Sequence, residues 1–311
     1  MTFIMAQRFG KRILLLADTK ISDPSGVLRR AERLPHAHNY VPGRLKIFPL
    51  NLYLSVGYAG RSGKALNDLR ALKKSLDDGA TLSHCLQVLR SSSAAGDIDY
   101  LLISHVEGAE IYKIANGSVA FGQTVQWIGD AEIAVLLQSA VQSARGLREA
   151  SGWEWDFDPE YGTVEEHDLS AAWTNLLLSA PTLTPSVGGI PIRLLGSPYG
   201  HSFANIAGVY NPATFIMTSN GITDEGGRPV NPLDSQYGFS FLGGAERGAP
   251  VAGLWLQESG GAYLYDPITN DEAIFLRGCD DQGLATKLKE RALKLGGRVI
   301  DLPPLDCQIT I

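Results

Sequence analysis

Thr2-Phe3-Ile4-Met5-Ala6-Gln7-Arg8-Phe9-Gly10-Lys11-Arg12-Ile13-Leu14-Leu15-Leu16-Ala17-Asp18-Thr19-Lys20 is the stretch from which the rest of the chain can be read. Residues 2–6 alternate loosely, as a half-buried strand does, and Arg8-Phe9-Gly10-Lys11 has the composition of a turn. Residues 13–17 are then apolar without interruption. Such a run predicts a strand covered on both faces, so the pair reads as a hairpin with an interior second strand. Asp18 closes that strand, where it can lie beside the start of the first. Thr2 and Asp18 are therefore expected at the same end of one hairpin.

Working outward, residues 45–50 form a second apolar block with one charge, Lys46, near its start. Residues 52–60 read as a strand ending in the small residues Ala59 and Gly60. Residues 63–76 carry leucines at 66, 69, 72 and 76, the helical period. Strands are expected over 99–105 and 110–114 around the turn Glu107-Gly108, then a tight turn at Asn116-Gly117 and a strand over 125–128. A helix is expected over 132–149 and another over 168–178, capped by Asp168. Between them Trp153, Trp155 and Phe157 lie in an acidic loop whose rings are expected on the core. Past residue 200, strands are expected over 213–218, 251–257 and 262–265, with glycine turns between them. A basic helix over 286–295 is stopped by Gly296-Gly297, and a last strand covers 298–302.

Removal of Met1 would make Thr2 a threonine with a free α-amine. Such a residue unites nucleophile and base, because the hydroxyl attacks a carbonyl while its own amine takes the proton. The amine suits that role, since an α-amino group titrates near pH ~8 and a lysine near ~10.

In order and spacing, Thr2, Ala17-Asp18-Thr19-Lys20, Lys46 and Gly57-Tyr58-Ala59-Gly60 resemble the opening pattern of the proteasome β-subunit family of N-terminal nucleophile (Ntn) hydrolases. The resemblance is good over residues 2–76 and traceable to about 195. It implies a four-layer αββα sandwich in which residues 1–200 form the hydrolase core. Residues 201–311 then complete or extend it as a β-rich C-terminal part. It implies Thr2 as nucleophile and Lys46 beside it, lowering the effective pKa of the hydroxyl by its charge. Asp18 would hold lysine and amine in place, and the Gly60 N–H would face the developing oxyanion. From the residues alone, Asp18 reads equally as a turn residue, Lys46 as a snorkelling strand lysine and Gly60 as a packing glycine before a helix. By the same resemblance Ile21, Arg44, Tyr58 and Ser62 line the first specificity pocket, which Tyr58 makes shallow and Arg44 slightly basic. Small or acidic side chains are its expected occupants.

The chain departs from the family at the groups that support the nucleophile. Asp130, in Ile128-Gly129-Asp130-Ala131, takes the place of a serine, and Thr184 and Val187 take those of an aspartate and a serine, with Ser186 one position early. Two further readings therefore stand beside peptide hydrolysis: a catalytically inactive structural or binding subunit, and a small-molecule amidohydrolase on the same scaffold. Family members work as closed rings, which implies a homo-oligomer and leaves room for an unfoldase or regulatory partner.

Against the family, an insertion follows Lys20. It holds Arg29, Arg30 and Arg33 and the pair His36 and His38. No cysteine or carboxylate stands beside those histidines at ligand spacing, so the insertion reads as a polar loop. Asp266, Asn270 and Asp271 fit no calcium loop, and no glycine cluster precedes a Lys-Ser/Thr phosphate cradle. No metal or cofactor is expected. A net charge of −6 argues against a nucleic-acid binder, which needs clustered basic surface. Cys85, Cys279 and Cys307 are far apart and odd in number, as reduced thiols in a cytoplasmic protein are. Neither a signal peptide nor an apolar run of the ~20 residues that span a membrane is seen.

Overall fold

A computed structural model describes residues 2–19, 43–151, 163–179, 182–184, 187–210, 216–218, 221–223, 237–243, 246–257 and 259–300. The opening hairpin forms as its pattern requires, from β1 (Phe3–Phe9) and β2 (Arg12–Asp18) with Ile4 opposite Ala17. Residues 13–18 are buried throughout. There follow β3 (Ile47–Pro49), β4 (Leu54–Gly60), α1 (Ser62–Asp77), α2 (Leu82–Ser93), β5 (Ile98–Ser104), β6 (Glu110–Ala115), β7 (Ser118–Phe121) and β8 (Val125–Gly129). Then come α3 (Ala131–Ser151), α4 (Val164–Ser179), β9 (Thr182–Thr184), β10 (Val187–Gly188), β11 (Pro191–Gly196) and β12 (Ser202–Phe203). The remainder holds β13 (Ile206–Tyr210), β14 (Ile216–Thr218), β15 (Gly221–Thr223), β16 (Tyr237–Leu242) and β17 (Glu246–Arg247), then β18 (Ala252–Leu256), β19 (Gly261–Tyr265), β20 (Ile274–Arg277), α5 (Asp281–Lys294) and β21 (Arg298–Val299).

The fold is mixed α+β, with antiparallel sheets. The first has the order β12-β11-β2-β1-β8, the second β3-β4-β5-β6-β7 and the third β13-β16-β18-β19-β20. Alternation along each strand sends side chains to two faces. Ile4, Ala6, Ile13, Leu15 and Ala17 of the first sheet share one apolar cluster with Ile47, Ala59, Leu101 and Ile103 of the second. The opposite set of the second sheet, Val56, Tyr58, Tyr100 and Leu102, packs with Leu66, Leu69, Cys85 and Leu89 of α1 and α2. The opposite set of the first, Phe3, Leu14 and Leu16, packs with Ile133, Leu137, Leu169, Trp173 and Leu177 of α3 and α4. β12 lengthens the edge of the first sheet, and the third sheet carries α5 through Leu284, Leu288 and Ala292.

Three helices differ from the sequence reading. α2 is an element the sequence reading passes over, although Leu82, Cys85, Leu86 and Leu89 recur at the helical period behind Thr81; the Thr81 hydroxyl accepts from the His84 N–H, and Cys85 and Leu89 bury one face. α4 begins at Val164 and not at Asp168, because the Thr163 hydroxyl accepts from the Glu166 N–H at 3.2 Å. Asp168 is no cap: it lies buried one turn inside and takes both arms of Arg148 from α3, at 3.1 and 3.2 Å. α5 starts five residues before its expected place, where the Asp280 carboxylate accepts from the Gly283 N–H at 2.7 Å. Among the described residues no helix is long and apolar enough to cross a membrane. Trp153, Trp155, Phe157, Arg29, Arg30, Arg33, His36, His38 and Cys307 lie outside the described residues.

Candidate active site

β2 delivers Asp18 to the point where β1 begins, and the extended segment before β3 brings Lys46 to the same place. The Thr2 hydroxyl donates to Asp18 Oδ1 at 2.6 Å, and Lys46 Nζ donates to that same oxygen at 2.8 Å. Lys46 Nζ also donates to Thr2 Oγ1, closing a three-membered hydrogen-bonded ring. Exposures of 4%, 0% and 6% for Thr2, Asp18 and Lys46 place these groups where water screens them poorly. The ammonium is therefore set to stabilise negative charge on Thr2 Oγ1, and the carboxylate holds that ammonium in place.

Three packing features hold Thr2 and Asp18 in register. The Phe3 ring lies 5.6 Å from Trp173 and 6.5 Å from Trp127, fixing the residue after Thr2. Trp173 also donates its indole N–H to the Ala17 carbonyl at 3.0 Å. Gly129, at φ 92°, lets the chain pass so close that a Cβ there would stand 1.7 Å from the Thr2 carbonyl oxygen. That oxygen accepts the Asp130 N–H at 2.8 Å.

Gly60 ends β4 at φ 114°, where a Cβ would meet the Asp97 carbonyl at 2.2 Å. Only glycine fits, so the backbone turns there from strand to α1. Of the pocket residues, Arg44 Nη1 donates to Ser62 Oγ at 2.6 Å. Tyr58 sits on the helix-covered face, its hydroxyl donating to the Leu45 carbonyl at 3.2 Å; burial raises its pKa. Ile21 lies outside the described residues.

Of the supporting residues, Asp130 turns its carboxylate to the start of α3, where Oδ1 accepts from the Glu132 N–H at 3.1 Å. Thr184 pairs with Val187 across β9 and β10, and Val187 is buried among the residues under α3 and α4. The Thr184 side chain and Ser186 lie outside the described residues.

Two groupings escape the sequence reading. Ser55, His201 and His105 form a chain, with Ser55 Oγ 2.9 Å from His201 Nδ1 and His201 Nε2 2.8 Å from His105 Nδ1. His105 Nε2 reaches the Lys11 carbonyl at 2.9 Å. A carbonyl only accepts, so His105 carries its proton on Nε2, and neutral rings fit if His201 donates from Nε2 and accepts from Ser55. The second is Glu272, 3.3 Å from Arg44 Nη2. Neither has a local sequence signal, because the partners are far apart along the chain. Among the described residues, no group of three or more His, Cys, Asp or Glu side chains gathers as metal ligands. No protein-family model matches the chain, and no curated protein matches its sequence.

Proposed function

We propose that the chain is an N-terminal threonine hydrolase of peptide amide bonds, built as a four-layer αββα sandwich of the proteasome-like Ntn type. The observation that carries this reading is the Thr2 hydroxyl held between the Asp18 carboxylate and the Lys46 ammonium. The three apolar clusters, one between two sheets and one under each helix pair, support the sandwich.

In the reaction, cleavage before Thr2 frees its α-amine. Thr2 Oγ1 attacks the substrate carbonyl and its proton passes to that amine, while Lys46 stabilises the oxygen as it loses the proton. The Gly60 N–H receives the oxyanion of the tetrahedral intermediate; one such donor is worth roughly a hundredfold or more in rate. Collapse breaks the C–N bond, the amine's proton goes to the leaving nitrogen, and an ester on Thr2 remains. Water, deprotonated by the same amine, then releases the carboxylic acid. Exposed Val135, Leu136 and Leu147 on α3 offer apolar surface for the homo-oligomer this reading expects.

Non-catalytic assembly is favoured by one observation: Val187, apolar and buried, stands where the family resemblance puts a supporting serine. N-terminal sequencing with a peptide-amide panel separates the two. The proposal expects Thr2 as first residue, hydrolysis lost in Thr2→Ala and retained in part in Thr2→Ser. An uncleaved N-terminus, or equal rates in Thr2→Ala, contradicts it.

A further inference from the structure

The turn between β1 and β2 stands at the far end of the hairpin from Thr2, beyond the seven residues of β1. That is a separation of about 20 Å at the ~3.3 Å rise of a strand residue. There the turn meets the loop joining β5 to β6 in the second sheet, and a depression of about 370 Å³ lies between them. Small-molecule sites span roughly 300–1,000 Å³, so only a compact ligand fits. Its two walls are cross-linked. His105 Nε2 bonds the Lys11 carbonyl at 2.9 Å, and Arg8 Nη1 donates to the Ala109 carbonyl at 3.0 Å. The depression is thus held open by bonds between two sheets, and a ligand would find it already formed.

Arg8, Lys11 and Glu110 line it, two cations and one carboxylate. Among the described residues no ion pair joins them to one another or to a third group, and Arg8 makes no side-chain bond besides that to Ala109. Scattered surface charges are satisfied by water. These three converge on one preformed hollow whose other side chains offer little to a polar group. His105 has both ring nitrogens committed, one to His201 and one to Lys11, and the Pro198 ring has no donor. A ligand that matches this lining carries both signs of charge and a short apolar body.

We propose that the depression binds a small zwitterion, a free amino acid or a dipeptide. Arg8 and Lys11 take its carboxylate, the free guanidinium N–H groups of Arg8 giving the fork that carboxylates fit. Glu110 takes its ammonium, and the His105 and Pro198 rings take a small apolar side chain. A phosphate suits the lining less well, because its second negative charge would face Glu110. The site is separate from Thr2, and its reading does not depend on the proposed function.

Calorimetry on the full-length Thr2→Ala protein tests it with alanine, alanyl-alanine, N-acetyl-alanyl-alanine, alanyl-alanine amide and inorganic phosphate. One equivalent of alanine or of alanyl-alanine is expected to bind, the tighter of the two giving the ligand's length. The acetylated dipeptide lacks the ammonium and the amide lacks the carboxylate. Each should bind at least about tenfold more weakly than the free dipeptide, the scale of a hydrogen bond to a charged group. Lys11→Gln should weaken the free dipeptide about tenfold. Glu110→Gln should bring it down to the acetylated form and leave that form's own affinity undiminished. Binding of neither zwitterion, equal binding of the free and acetylated dipeptides, or phosphate binding tighter than either zwitterion overturns the proposal. So does dipeptide binding that is unchanged in Lys11→Gln and Glu110→Gln proteins of unaltered melting temperature, since it would then lie elsewhere, in the Thr2 cleft for one.

Discussion

The indole N–H of Trp173 donates to the carbonyl of Ala17 at 3.0 Å, tying α4 to the residue before Asp18. The end of β2 is therefore positioned from the helix layer as well as from its own sheet. Trp173→Phe keeps much of the buried ring and removes one of the bonds to a carbonyl that the ladder also pairs with Ile192 of β11, a loss of about 0.5–1.5 kcal/mol. Chemical denaturation should show the loss, and peptide hydrolysis should fall more in turnover than in substrate binding, because Asp18 loses its placement and not its charge.

Asp18→Asn removes the carboxylate that both Thr2 and Lys46 use. A buried charge stripped of its partner costs about 3–5 kcal/mol, so urea unfolding should move by that order. Hydrolysis should drop to the background of Thr2→Ala. A stable, active Asp18→Asn protein would show that the ring of hydrogen bonds is ornamental.

Gly129→Ala forces a methyl into the Thr2 carbonyl at a positive φ. The φ alone costs about 1–3 kcal/mol, and the overlap adds to it. A lowered melting temperature is expected together with lost activity, whereas Gly146→Ala on α3, with no atom within 4 Å of its Cβ, should leave both unharmed.

Acid should loosen the protein through His201 and His105. Burial lowers the pKa of His201 well below its ordinary value, and the charges of His105 and Arg247 add to this. Burial also lowers His105, against the bond to the Lys11 carbonyl. Both are therefore neutral when folded and protonate near ~6.5 when unfolded. The unfolded state then binds more protons below that pH, so stability is full above it and is lost as pH falls toward the folded values. The slope is at most about 1.4 kcal/mol per pH unit per histidine. Both rings protonated would set two N–H groups against each other at the His105–His201 contact. Arg8, Lys11 and Glu110 line the same depression as His105, and Arg247 is the other charge acting on His201. Denaturation at pH 7.5, 6.5 and 5.5 should show the fall, and His201→Gln should flatten it.

The hairpin, and with it the meeting of Thr2 and Asp18 at one end, is legible in the sequence because an unbroken apolar run must be interior and Asp18 closes it. Lys46 joins them in the reading only through the family resemblance, since from the residues alone it reads equally as a snorkelling strand lysine. Cap chemistry is legible but weak: Thr163 and Asp280 each stand one residue before a helix whose apolar period is poor at its start, so α4 and α5 read too short. Ser55, His201 and Glu272 have no local pattern at all. Ser55 meets His201 across 146 residues and Arg44 meets Glu272 across 228, distances that only the packed sheets close.

The most direct test of Thr2 as an N-terminal nucleophile is tandem mass spectrometry after incubation with a peptide epoxyketone, an electrophile that a hydroxyl and a neighbouring amine can close upon together. One adduct per chain is predicted, on an N-terminal Thr2, engaging both Oγ1 and the α-amine and missing from Thr2→Ala. An unmodified Thr2, or a Thr2 still joined to a preceding residue in the purified protein, would refute it.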